Sequence, residues 1–155
     1  MKIHEPIISK NDPRYQQAYQ ELMTLGQNRM FGGYKVIYAD PPWLFENWSL
    51  KGAKRGALSH YPCMSTELIA SLPVSALVGE ECMLYMWCTW PMMRDAFKIL
   101  DGWGFEYKGL GWEWIKKNPK TGKYSFGTGY GTRKNLEPCI MAKIGEPKIK
   151  THDER

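Results

Sequence analysis

The chain has 155 residues, the size of one ordinary domain, and 43% of them are hydrophobic, which is enough to form a core. No apolar run approaches the roughly 20 residues of a membrane span, and the segment Met1–Pro6 lacks the apolar stretch of a secretory signal. These features argue against membrane, secreted and fibrous proteins. The net charge of +5 gives a mild attraction to polyanions, or only a solvated basic surface.

The first half of the chain predicts a helix, a strand, a loop and a second short helix. The helix covers residues 12–25, with Asn11 as its cap and Gly26 at its end. Lys35–Ala39 is β-branched and apolar, which predicts a strand buried on both faces. Residues 44–62 lack periodicity and predict a mobile surface loop, after which Ser65 caps a short helix over Thr66–Ser71.

The second half predicts three further strands around one helix. Pro91 opens that helix, and Gly102 and Gly104 close it. The predicted strands cover Glu81–Thr89, Phe105–Lys117 and Glu137–Ile144, with a glycine-rich basic loop over Asn118–Lys134. This alternation of strands and helices predicts an α/β domain with a parallel sheet, whose ligands bind at the carboxyl ends of the strands.

The cysteines and histidines do not have the spacing of a zinc site. Cys63, Cys82, Cys88 and Cys139 form no Cys-x-x-Cys pair, and the three histidines are scattered. We therefore expect no metal. Three of the cysteines lie among apolar residues, as small core residues of a reduced, cytoplasmic protein do.

The tetrapeptide Asp40-Pro41-Pro42-Trp43 directly follows the first predicted strand, at the edge where ligands bind. The carboxylate only accepts hydrogen bonds, and neither proline has an N–H, so the local backbone offers carbonyl acceptors. Trp43 adds a flat ring. The combination suits a planar ligand with an amino group, such as adenine, whose amine nitrogen becomes a better nucleophile when its protons are accepted. The alternative is a Pro-Pro turn with a half-buried tryptophan.

The segment Val36–Trp43 resembles motif IV of the DPPW family, the adenine-N(6) methyltransferases related to the mRNA m6A enzymes, and specifically its prokaryotic or phage type. Companion segments follow in the family's order over roughly Lys35–Pro147. They are Tyr61–Ser65, Ile69–Val74, Leu84–Thr89 with Pro91-Met92, Gly102–Phe105, Trp114–Lys116 and Gly129–Arg133 with Asn135 and Glu137.

The resemblance implies a Rossmann-like, circularly arranged fold that transfers a methyl group from S-adenosylmethionine to an adenine amine in DNA, with RNA as the alternative substrate. Asp40 matches the family's catalytic acid near the donor and the amine, Pro41 and Pro42 its backbone acceptors, and Trp43 its stacking aromatic. Lys116 matches a lysine near the donor's methionine carboxylate, or is an exposed lysine at a strand end. A flipped-out base is expected if the substrate is duplex.

Basic residues beside the proposed site are the expected phosphate contacts. They occupy two loops and comprise Lys51, Lys54, Arg55, Lys117 and Arg133, together with Asn135. The match of Arg133, Asn135 and Glu137 to a recurrent family cluster is equally compatible with a role in bracing the loop. The competing interpretation of the whole chain is a non-catalytic nucleic-acid-binding module.

The chain departs from the family pattern at its end, because Arg155 comes before the strands that bind the donor's ribose and adenine. We therefore expect an incomplete sheet that a partner chain or a dimer completes. The expected organisation is an N-terminal helical extension over 1–33, a methyltransferase domain over 34–147 and a frayed tail over 148–155. The expected location is the cytoplasm of a bacterial or phage-infected cell.

Overall fold

The computed structural model describes residues 8–28, 32–44, 60–127 and 131–148. Its helices are α1 (Pro13–Gln27), α2 (Thr66–Ala70) and α3 (Met93–Trp103), with short 3-10 helices over Val74–Leu77 and Trp90–Met92. Its strands are β1 (Tyr34–Ala39), β2 (Val78–Trp87), β3 (Glu106–Ile115) and β4 (Leu136–Ile144). The α/β class is confirmed, and none of the described helices is long and apolar enough to cross a membrane.

The four strands form one mixed sheet in the order β1-β2-β4-β3. β1 pairs parallel with β2, whereas β4 runs antiparallel between β2 and β3. The first three strands therefore point the same way, but the prediction of a parallel sheet was wrong for β4. The connection from β3 to β4 contains no α-helix in its described part, and such a connection returns the chain antiparallel rather than crossing over.

One face of the sheet carries the core. Leu84 and Met86 of β2 and Ile140 and Ala142 of β4 are buried and belong to the same cluster as residues of α2 and α3. The other face is rich in aromatic side chains. Tyr85 stacks on Trp112 with 4.7 Å between their ring centroids.

β1 is less buried than its apolar sequence predicted. It lies at the edge of the described sheet, and Tyr34, Val36 and Tyr38 are exposed, whereas Ile37 and Ala39 are only half-buried. The expectation of a strand buried on both faces was therefore wrong, because none of the described helices covers the outer face.

The ends of the helices follow mostly from local sequence. Ser65 caps α2 by accepting a hydrogen bond from the Leu68 N–H at 3.2 Å, and Gly104 ends α3 with φ +77°, as predicted. α1 differs at both ends, because Asp12 rather than Asn11 is its cap and Gly26 lies inside it. A Cβ on Gly26 would lie 2.6 Å from the Ala76 carbonyl oxygen, so Gly26 allows close packing rather than ending the helix.

Candidate active site

Asp40 lies at the edge of the sheet where β1, β2 and β3 end and β4 begins. It follows the last residue of β1 and its side chain is exposed. The last pairs of the ladder at this edge are Ala39 with Met86 and Trp87 with Cys139. The prediction that Asp40 occupies a strand's carboxyl end is confirmed by this placement.

The segment after Asp40 is pinned by backbone hydrogen bonds. The Trp43 N–H donates to the Pro41 carbonyl at 2.8 Å, and the Met64 N–H donates to the Pro42 carbonyl at 2.9 Å. The Leu44 N–H donates in turn to the Met64 carbonyl at 3.1 Å. Each proline carbonyl thus already has one donor, and one lone pair on each oxygen remains for a ligand. The sequence alone did not reveal these internal partners.

Trp43 is a core residue in this structure. Its side chain is 7% exposed, and its indole N–H donates to the Trp87 carbonyl at 3.2 Å. The ring is more buried than the half-buried tryptophan of the alternative interpretation, and its stacking on a base stays a prediction. The ring is buried because residues 42–44 pair with Met64, which fixes Trp43 among the apolar side chains.

A second anchor lies before Asp40. The Trp87 indole N–H donates to the Tyr38 hydroxyl, and the two rings meet edge to face with 6.4 Å between centroids. Trp87 therefore contacts residues on both sides of the Asp40-Pro41-Pro42 segment, through its indole to Tyr38 and through its carbonyl to Trp43.

A cation, a carboxylate and an amide from β3 and β4 meet at the same edge. The Lys116 ammonium group forms an ion pair with the Glu137 carboxylate and lies 5.2 Å from the centre of the Trp114 ring. The Asn135 side chain accepts a hydrogen bond from the Lys116 N–H at 2.6 Å and donates to the Lys116 carbonyl at 3.0 Å. The sequence predicted either an exposed lysine or a lysine available to bind the carboxylate of the methyl donor. Lys116 is instead half-buried and already paired with Glu137.

The electrostatics connect this cluster with Asp40. Burial raises the pKa of Asp40, and the negative charge of Glu137 raises it further. Burial also raises the pKa of Tyr61, with smaller effects from Cys63, Asp40 and Glu137. Asp40 is exposed, so solvent partly screens these charges. The edge therefore carries negative charge that favours a cation.

The four cysteines are all free and buried, as expected for core residues. Burial raises the pKa of Cys88 to about 12 and that of Cys139 to about 11, so both thiols are neutral at pH 7. They are not nucleophiles at this edge.

The structure brings together only part of the predicted nucleic-acid surface. Lys117 and Arg133 are exposed near the end of β3 and the start of β4, and the Lys117 ammonium lies 5.5 Å from the centre of the Tyr124 ring. The Asn135 amide makes one hydrogen bond to Lys116 through each of its polar atoms, and its phosphate contact stays a prediction. The remaining predicted contacts, Lys51, Lys54 and Arg55, lie outside the described residues.

Two surface depressions, of about 430 and 310 Å³, share Lys35 in their linings, near the opposite end of β1. Their linings contain none of the predicted site residues. The candidate site is identified by the charge and strand geometry of the described residues.

Comparison with known proteins agrees with this geometry. The MT-A70 family model matches residues 34–155. The Type II methyltransferase M.MunI of Mycoplasma sp is 31% identical over 107 residues, which cover 59% of this chain and 46% of that protein. The N(6)-adenine-specific methyltransferases METTL4 of Mus musculus and Homo sapiens are 25% and 27% identical over 116 residues, which cover 73% of this chain and 23% of each. The matched part thus spans less than half the length of these relatives. Because the family model covers most of the chain, the chain belongs to the MT-A70 family.

Proposed function

We propose that this chain carries the catalytic acid of an S-adenosylmethionine-dependent methyltransferase that modifies the exocyclic amine of adenine in DNA. The observation that carries the proposal is the position of Asp40 at the carboxyl end of β1, beside the Glu137–Lys116 pair. Membership of the MT-A70 family supports methyl transfer, and two of the similar proteins are named as N(6)-adenine-specific methyltransferases.

The described residues fit the cationic part of the methyl donor. When bound, S-adenosylmethionine supplies a methyl group on a positively charged sulfur. The carboxylate of Asp40 favours such a cation, because a neighbouring positive charge lowers the pKa that burial and Glu137 raise. Lys116 would hold the donor's carboxylate only in competition with Glu137, with which it is already paired.

Asp40 has the central role in the proposed reaction. Its ionised carboxylate accepts a hydrogen bond from the adenine amine, which draws electron density toward the nitrogen and frees the lone pair for attack. The remaining lone pair of the Pro41 or Pro42 carbonyl provides a second acceptor. The spare proton leaves to Asp40 or to water. Trp43 acts here as an anchor for the Asp40 segment rather than as a stacking surface.

The choice of DNA rests on the resemblance of the motifs to phage and bacterial DNA methylases, with RNA as the alternative. Lys117 and Arg133 provide positive charge beside the edge for a phosphate backbone. A further polypeptide that pairs with β1, either a partner chain or a second copy, is part of the proposal, as is a cytoplasmic location with access to nucleic acid.

The test measures methyl transfer from labelled S-adenosylmethionine to adenine-containing DNA and RNA of the same sequence. We expect transfer to DNA by the wild type and its loss in Asp40→Asn, which keeps the side-chain shape but not the charge. Asp95→Asn is the matched control, because Asp95 is an aspartate of α3 that pairs with Lys98 at 3.0 Å. The control should retain activity. Nucleic-acid binding with no transfer by any variant would instead favour the non-catalytic module.

A further inference from the structure

The side chain of Asn135 makes the hydrogen bonds that a backbone pair would make at the end of the β3–β4 ladder. The last backbone pair is Ile115 with Leu136. One residue further, the Asn135 amide both accepts from the Lys116 N–H at 2.6 Å and donates to the Lys116 carbonyl at 3.0 Å. These paired hydrogen bonds hold the backbone of Lys116 against β4. On its other side the Lys116 carbonyl also accepts a hydrogen bond from the Ser125 N–H at 2.9 Å.

The fixed backbone determines where the Lys116 charge lies. The ammonium group pairs with Glu137 on β4 and lies over the Trp114 ring on β3. Among the described residues, Lys116 is the one cation that forms an ion pair with Glu137. The negative charge of Glu137 raises the pKa of Asp40. Because Lys116 pairs with Glu137, we expect its positive charge to reduce that repulsion.

We propose that Asn135 is a positioning residue that holds Lys116 against Glu137 and thereby keeps Asp40 in its ionised, hydrogen-bond-accepting form. This inference rests on the proposed function, because it takes the ionised Asp40 as the reactive form. It assigns Asn135 to the support of the site, because its amide bonds both the N–H and the carbonyl of Lys116.

The other titratable groups near Asp40 are uncharged at pH 7 and do not offset the charge of Glu137. Tyr61 approaches from the segment before α2 and is influenced by Cys63, and burial raises the pKa of each. Cys139 approaches from β4, and burial raises its pKa to about 11. These groups are therefore neutral at pH 7, and Glu137 is the group among them that carries charge.

The experiment follows the Asp40 carboxyl group by NMR during a pH titration of the chain, without donor or nucleic acid. Lys116→Met removes the charge and should raise the pKa of Asp40, because the charge of Glu137 is then uncompensated. Asn135→Ala should shift the pKa of Asp40 in the same direction by a smaller amount. Asn135→Gln, which keeps the amide one methylene further out, is the second variant in case the alanine variant does not fold.

Asn118→Ala is the matched control, because the Asn118 side chain also accepts backbone hydrogen bonds, from Lys120 at 2.9 Å and Thr121 at 3.2 Å. It does not contact the Lys116–Glu137 pair, so the pKa of Asp40 should stay at the wild-type value. An Asp40 titration that moves in Lys116→Met but not in folded Asn135→Ala or Asn135→Gln would overturn the proposal.

A second readout separates support of the site from nucleic-acid contact. Asn135→Ala should shift the acid limb of the pH–rate profile upward with the pKa of Asp40 and leave the affinity for DNA unchanged. A reduced affinity for DNA together with an unmoved titration would return Asn135 to the nucleic-acid surface. Absence of methyl transfer would contradict the proposed function. The titration of Asp40 needs no methyl transfer, so it decides this inference independently.

Discussion

Replacement of Trp43 shows whether its ring supports the fold or stacks on a base. Loss of a core residue lowers the stability of the protein, whereas loss of a stacking residue lowers its affinity for substrate. Trp43 is 7% exposed, so Trp43→Ala removes nearly a whole buried indole. A change of this kind costs about 3–5 kcal/mol in the free energy of unfolding. A stacking residue would instead affect substrate affinity, by about 1–3 kcal/mol per base, with little loss of stability.

Trp43→Phe gives a finer measurement. It keeps most of the ring but loses the hydrogen bond from the indole N–H to the Trp87 carbonyl, which at 3.2 Å is a long bond. We expect a loss of about 1–2 kcal/mol, which includes the smaller ring and a carbonyl that loses a donor. Urea denaturation followed by circular dichroism measures both variants, and an unchanged m-value shows that the comparison is valid.

Trp103 provides the matched control. It is 3% exposed, and its indole N–H donates to the Ile69 carbonyl at 2.9 Å, so Trp103→Phe makes the same chemical change at the far end of α3. We expect Trp103→Phe to lose similar stability and to keep methyl transfer under conditions where it is folded. Trp43→Phe should lose stability and also lower kcat, because Asp40 is held less firmly. A Trp43→Ala variant that stays within about 1 kcal/mol of the wild type and only raises KM would refute this reasoning.

Three further predictions concern the charge and the edges of the sheet. Asp40→Asn should leave the free energy of unfolding within about 0.5 kcal/mol of the wild type at pH 7. Because the folded-state pKa of Asp40 is raised, the wild type should gain stability relative to this variant as the pH falls from 7 through that pKa. Urea titrations of both proteins at pH 7 and at a pH below that pKa measure the sign of this difference. In filter binding, the double variant Lys117→Ala/Arg133→Ala should lower the slope of log affinity against log salt by about 2 for duplex DNA, and an unchanged slope would remove both residues from the phosphate surface. The wild type should self-associate in light scattering because Val36 is 58% exposed on the edge strand β1; Val36→Lys should prevent this, whereas Leu25→Lys on α1 should not, and a wild type that stays monomeric at all concentrations would contradict the edge argument.

The sequence predicts well those features that depend on near neighbours in the chain. The cap at Ser65 and the left-handed end at Gly104 each depend on two or three adjacent residues, and both are confirmed. The position of Asp40 is also local, since a proline pair must end the strand that precedes it. These features need no knowledge of the sheet.

Features that depend on the pairing of distant strands were not predicted. The hydrogen bonds between Lys116 and Asn135 join residues 19 apart, and they exist because β4 lies antiparallel beside β3. The same pairing brings Glu137 to Lys116. The burial of β1 was overestimated for a related reason, since an apolar strand is buried only if other elements cover it.

The tetrapeptide Asp40-Pro41-Pro42-Trp43 contains an exposed acid, Asp40, and a buried residue, Trp43, that anchors the segment. Trp43 holds the segment after Asp40 through its burial and its bond to the Trp87 carbonyl, and Tyr38 holds the segment before it through the Trp87 indole. The two prolines between these anchors remove the backbone freedom that would remain. In the proposed reaction, the backbone at Asp40 is already positioned when the adenine amine arrives, which lowers the entropy cost of the encounter. Trp43 thus contributes to the proposed site by fixing the Asp40 segment, because its buried ring offers little surface for stacking.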